Sequence, residues 1–146
     1  MATLFVPTLA VRVLAFLLAL PLVQTSGDRF SGTWEGKCQD GRPFVIAAFH
    51  QNGTQWQGSV SIANMHGDNE GACMLVLAAP SPEHAQQISD AVIQQSTLSF
   101  KGAKRQDGTF ARFEMKLTDA NHAELRLMNT PVAEHPWLLE RNQKAE

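Results

Sequence analysis

Tyrosine is absent from the 146 residues, cysteine occurs only twice, and 18% of positions carry a charge. Two cysteines exclude a thiolate zinc cluster and a disulfide-dense scaffold. A surplus of one charge is missing too. Twelve basic against 14 acidic side chains leave a net −2, too little to gather nucleic acid or an anionic membrane. The sequence has no G-x-S-x-G elbow and no glycine-rich phosphate cradle ahead of a helix. The motif-borne routes to nucleophilic and phosphoryl-transfer chemistry are therefore absent, and no cofactor is implied. Internal repeats and low-complexity tracts are lacking as well, so the chain after its first residues is a single domain.

An uninterrupted apolar run long enough to cross a bilayer is also missing. The longest candidate, Val13-Leu14-Ala15-Phe16-Leu17-Leu18-Ala19-Leu20, follows Arg12 and is closed by Pro21. A span needs about 20 apolar residues. A basic residue, a short apolar stretch and then small residues (Thr25, Ser26, Gly27) is the order of a secretory signal peptide. We expect residues 1–26 to be that leader, with cleavage between Ser26 and Asp28 and no stable membrane span afterwards. The remaining domain, 27–146, is then secreted or periplasmic. In such a compartment Cys38 and Cys73 are expected to pair, a link that the chain-entropy model credits with about 3–4 kcal/mol.

What the domain does contain is alternation punctuated by turns, the pattern of antiparallel strands. The first strand is Gly32–Lys37, ended by Gln39-Asp40-Gly41-Arg42-Pro43. Phe44–His50 is apolar on both faces, Asn52-Gly53 supplies a two-residue hairpin, and Gln55–Ile62 returns with Trp56, Gly58, Val60 and Ile62 on one face. A polar loop, Asn64 to Gly71, leads to an apolar strand from Cys73 to Ala79. Ser81-Pro82-Glu83 reads as an N-cap, a proline at the first helical position and an acid in the first turn. We expect a short helix to about Asp90, with Ala85, Ile88 and Val92 inward. Strands resume at Thr97–Lys101, Phe110–Leu117, Ala123–Asn129 and Trp137–Arg141. Phe113, Met115, Leu125 and Leu127 fall on apolar faces. The expected fold is mainly β: an antiparallel up-and-down barrel of about eight short strands with one short helix, a sandwich being the structural rival.

Gly32-Thr33-Trp34 resembles the G-x-W opening of the calycin barrels, the lipocalins, avidins and their relatives. The resemblance implies that Trp34 closes one barrel end under a basic residue from the last strand. Arg141 matches that partner, with Arg126 the second candidate. The chain is shorter than a typical lipocalin and lacks that family's mid-barrel motif, so avidin-like length fits better. Size, export and a single disulfide also look like the small barrel inhibitors of bacterial metalloproteases, which act through an N-terminal arm.

Three readings of function follow. The first is an exported, non-enzymatic binding module holding a small hydrophobic molecule among Trp56, Val60, Ile62, Phe113, Met115, Leu125 and Leu127, with the same residues forming a filled core as the bland alternative. The second is a protease-inhibitor-like or protein-interaction barrel working through its rim and the loop from Asn64 to Ala72. The third is a metal-dependent hydrolase using His66 with Asp68 and Glu70, three side chains that alternate in one glycine-bounded loop. A carboxylate pair such as Glu35 with Glu114 would serve acid–base chemistry only inside one cavity, and alternation points both outward. Lys101, Lys104 and Arg105 form the one basic cluster, read as a soluble hairpin tip beside Asp107. Asn52-Gly53-Thr54 is a glycosylation sequon if the host glycosylates its exports.

Overall fold

The computed structural model describes residues 28–66 and 75–143. The expected leader therefore lies outside the described residues, as do Cys73, Asp68 and Glu70. Eleven strands run in chain order: β1 Gly32–Lys37, β2 Pro43–Asn52, β3 Gln55–Ile62, β4 Asn64–His66, β5 Leu75–Ala78, β6 Gln86–Gln87, β7 Ser89–Gln94, β8 Thr97–Lys104, β9 Phe110–Leu117, β10 His122–Met128 and β11 Trp137–Arg141. Nine of them make one antiparallel sheet in the order β6-β3-β2-β1-β11-β10-β9-β8-β7, while β4 and β5 pair as a separate ribbon.

The sheet curls until its edges nearly meet. β6 pairs with β3, through Ser59 opposite Gln87 and Val60 opposite Gln86, and β7 pairs with β8. Only Ile88 separates β6 from β7, and its N–H donates to the Gly58 carbonyl at 3.0 Å. One interrupted strand thus bridges both edges, giving a nearly closed up-and-down barrel. Closure satisfies the backbone groups that an open sheet would leave bare.

This bridging segment corrects the expected helix. Pro82–His84 forms a single 3-10 turn behind Ser81, and the chain then runs extended as β6 and β7. The cap and the N1 proline started a turn, but the unpaired edges of β3 and β8 claimed the backbone that follows. Asp90, at φ 49°, sits in a bulge between Ser89 and Val92 that reverses which residues face inward. Ile88 lies inward before it and Ala91 and Ile93 after it, all packed on the core. Val92 is turned out, 53% exposed, against the inward position expected of it.

Smaller corrections have similar causes. Asn64–His66, read as polar loop, pairs with Leu75–Ala78, so the latter lies in the ribbon rather than in the barrel wall. The β2–β3 hairpin closes with Asn52 opposite Gln55, placing Gly53-Thr54 in the two-residue turn. Gly53 comes first with φ 62°, the arrangement favoured in type II′ turns. β8 runs on to Lys104, through a second irregularity between Lys101 and Lys104.

Candidate functional site

At the end where β1 begins, Trp34 is fully buried and its Nε1–H donates to the Phe30 carbonyl at 2.9 Å. β1 lies beside β11 with Trp34 directly opposite Arg141, so alternation aims both side chains the same way. The Arg141 guanidinium sits 4.2 Å from the Trp34 ring centroid, a cation–π stack. Its three donor nitrogens are all committed. Nη1 donates to the Ser31 carbonyl, Nη2 to the Arg29 carbonyl at 2.6 Å, and Nε to the Ala120 carbonyl at 3.0 Å. Arg141 therefore ties the entering chain and the β9–β10 turn over the indole. Partial burial pulls its pKa below the ordinary value, because the charge has lost water. Phe30 is buried beside it, edge-on to Trp56. Arg126, the second candidate partner, instead donates to the Ala133 carbonyl and reaches Glu124.

Below this seal the inward side chains pack on one another. Val60, Phe113, Met115 and Leu125 are 0–1% exposed, and Trp56, Ile62 and Leu127 are partly buried against the same cluster. Phe49 meets Phe100 edge-on and Phe100 stacks on Phe113, with centroids 5.3 Å and 5.2 Å apart, so the three rings form one cluster across the interior. Phe44 and Trp137 meet edge-on at 5.8 Å, near the lower end of β2 and the start of β11. Glycines show how full the interior is. A Cβ on Gly36 would come within 2.6 Å of Val45 and 2.9 Å of Phe44, and one on Gly102 within 2.9 Å of the Phe113 ring. Small residues stand where large rings need room, and the seven residues expected to face inward all lie in or against this packed cluster.

The solvent-facing wall is built differently. The β8–β9 hairpin sets Lys101 directly opposite Arg112, two like charges facing outward. Lys101 is offset by Asp90 at 2.6 Å and lies over the Phe110 ring at 5.5 Å. Arg112 makes no side-chain hydrogen bond or ion pair with any described residue. Two adjoining surface cavities share Lys101, Arg112 and Asn129. One, of about 350 Å³, extends toward Val92, and the other, of about 540 Å³, toward Phe110 and Arg105. Arg112 was not in the expected basic cluster. Folding the sequence back at Gln106-Asp107-Gly108 would have placed it beside Lys101.

The candidate catalytic groups are scattered. Glu35 accepts from Asn142 on β1 at 2.7 Å, while Glu114 lies on β9 beside the cavity near Val92. His50 meets Gln57 across the β2–β3 hairpin, and His122 meets Asp119 in the β9–β10 turn. Ser81 Oγ and His84 Nδ1 are 2.8 Å apart in the exposed 3-10 turn. Of the loop offered for a metal, His66 closes β4 and its two acids lie outside the described residues. Among the described residues no three His, Cys, Asp or Glu side chains converge as a metal site, and no helix is long and apolar enough to cross a membrane. Cys38 is buried just past β1, and its expected partner Cys73 lies outside the described residues.

No protein-family profile, curated protein or solved structure matches this chain.

Proposed function

We propose that this chain is an exported, non-enzymatic binding module of calycin-like build, whose interior is structural and whose recognition surfaces lie on the outside. It acts by engaging a protein partner. The observation that carries this reading is the Phe49–Phe100–Phe113 ring cluster in the barrel interior. A small hydrophobic guest needs about 300 Å³ or more of enclosed space, and the inward residues expected to line it are spent on one another. Trp34 under Arg141 supports the calycin likeness, because the resemblance placed those two residues together before their contact was seen. The Cys38–Cys73 disulfide belongs to the same proposal and would tie the β1–β2 turn to the segment between β4 and β5.

Native mass spectrometry of the exported protein tests the reading. The expected species starts between Ser26 and Asp28, is lighter by the two hydrogens of a disulfide, and carries no small apolar molecule. A stoichiometric hydrophobic guest that survives purification would overturn the exterior reading in favour of a ligand-carrying barrel.

A further inference from the structure

We infer that the outer wall of β8 and β9, centred on Arg112, is a docking groove for an acidic, apolar-bearing peptide segment of a protein partner. The inference rests on the exterior-binding reading and names the surface and the partner's chemistry. Its first support is electrostatic. A cross-strand pair of like charges is locally destabilising, and water would be as well served by Lys101 opposite a glutamate. Here Asp90 offsets Lys101 alone, leaving Arg112 with its planar fork of donors open to solvent. The cavity toward the hairpin is lined by Lys101, Arg105 and Arg112 against one acid, Asp107. That acid is already committed to the Thr109 N–H and hydroxyl. The positive field is therefore confined to the hairpin end, because the adjoining cavity sets Asp90 and Glu114 beside Lys101 and Arg112, on a chain whose net charge is −2.

The second support is apolar. Phe110, 42% exposed, lines the cavity toward the hairpin, and Val92, 53% exposed, lines the adjoining one. An anion alone would have no use for them, whereas a chain carrying carboxylates between apolar side chains meets both. The third is shape. Small-molecule sites bury most of their ligand, whereas these two surface cavities adjoin at Lys101, Arg112 and Asn129 and continue as one trough along the wall. A peptide can lie in such a trough with its backbone wet and its acids on Arg112 and Lys101.

The test is fluorescence anisotropy with a labelled ten-residue peptide of glutamates and aspartates interrupted by two leucines. Binding that falls as salt rises from 50 to 300 mM is expected, with at least a tenfold loss in Arg112→Glu and a smaller loss in Phe110→Ala. Lys37→Glu, on the far wall, should leave affinity unchanged, and matched thermal midpoints guard against unfolding. Equal binding of a lysine-for-glutamate peptide, full binding by Arg112→Glu, or displacement by millimolar inorganic phosphate would overturn the proposal, the last by marking a simple anion site. A stoichiometric protein partner held equally by wild type and Arg112→Glu would sink the groove and leave the exterior reading standing. A hydrophobic guest found inside the barrel would instead sink the parent reading.

Discussion

Two arginines on one barrel are used in opposite ways. Arg141 covers an indole and gives one hydrogen bond from each of its three nitrogens to a main-chain carbonyl, joining segments 112 residues apart in sequence. Arg112 faces another cation across a hairpin and spends nothing on the fold. The first arrangement is what stability asks of a guanidinium: partial burial, a carbonyl for each nitrogen and a ring to lie on. The second breaks the local rule for cross-strand pairs, and it is the break on which the proposed groove rests. The sealed end and the basic wall should therefore answer mutation differently.

The largest effect is expected at the seal. Trp34→Ala removes a fully buried indole whose cavity the surrounding strands cannot close, and should cost about 3–5 kcal/mol in urea unfolding. A cost under about 1 kcal/mol would mean that the barrel closes without this end.

The seal was legible in the sequence because it rests on neighbours the chain itself specifies. Trp34 follows a glycine at the first strand, and Arg141 ends the last one. An up-and-down barrel brings first and last strands together, which agrees with the pairing that the calycin resemblance implied. The segment after Ser81 was less legible. Its capping residues read as the start of a helix to about Asp90, and only a single 3-10 turn forms, because nothing local says that two sheet edges await the residues that follow. Tertiary pairing overrode the helical signal, and the bulge at Asp90 then inverted the alternation that places Val92. The basic wall was half legible: Lys101, Lys104 and Arg105 are adjacent in sequence, while Arg112 joins them only across the hairpin.

Arginine replacement sharpens the comparison further. Arg141→Lys keeps the charge but cannot reach three carbonyls from a fork, and should cost about 2–3 kcal/mol. Arg112→Ala should change stability by no more than about 0.5 kcal/mol, with any change favouring the variant because Lys101 loses a like-charged neighbour. Chemical unfolding of both variants at low salt reads the difference. Equal costs at the two positions would remove the distinction between scaffold and surface.

The smallest effect concerns the turn that Arg141 grips. Asp119 accepts from the Asn121 and His122 N–H groups at 2.8 and 2.9 Å and meets the His122 ring, holding the loop whose Ala120 carbonyl receives Arg141. The backbone bond from Asn121, with the His122 contact behind it, holds the Asp119 carboxyl below its ordinary pKa. A depressed folded pKa means that the carboxylate stabilises the fold above the unfolded value of about 3.9, and that this contribution is lost as pH falls through the folded value. Asp119→Asn should therefore lower the thermal midpoint slightly at pH 6 and converge with wild type below pH 3. Asp107, held down by Thr109 in the β8–β9 turn, is the matching control. Its Asn variant should show the same convergence, but with no change in the Arg141–Trp34 stack as read by tryptophan fluorescence. Asp119→Asn should perturb that emission at pH 6, because the loop it loosens carries one of the three carbonyls that hold the guanidinium over the ring. If neither variant alters the emission, the β9–β10 turn is only a connection, and the seal stands on the entering chain alone.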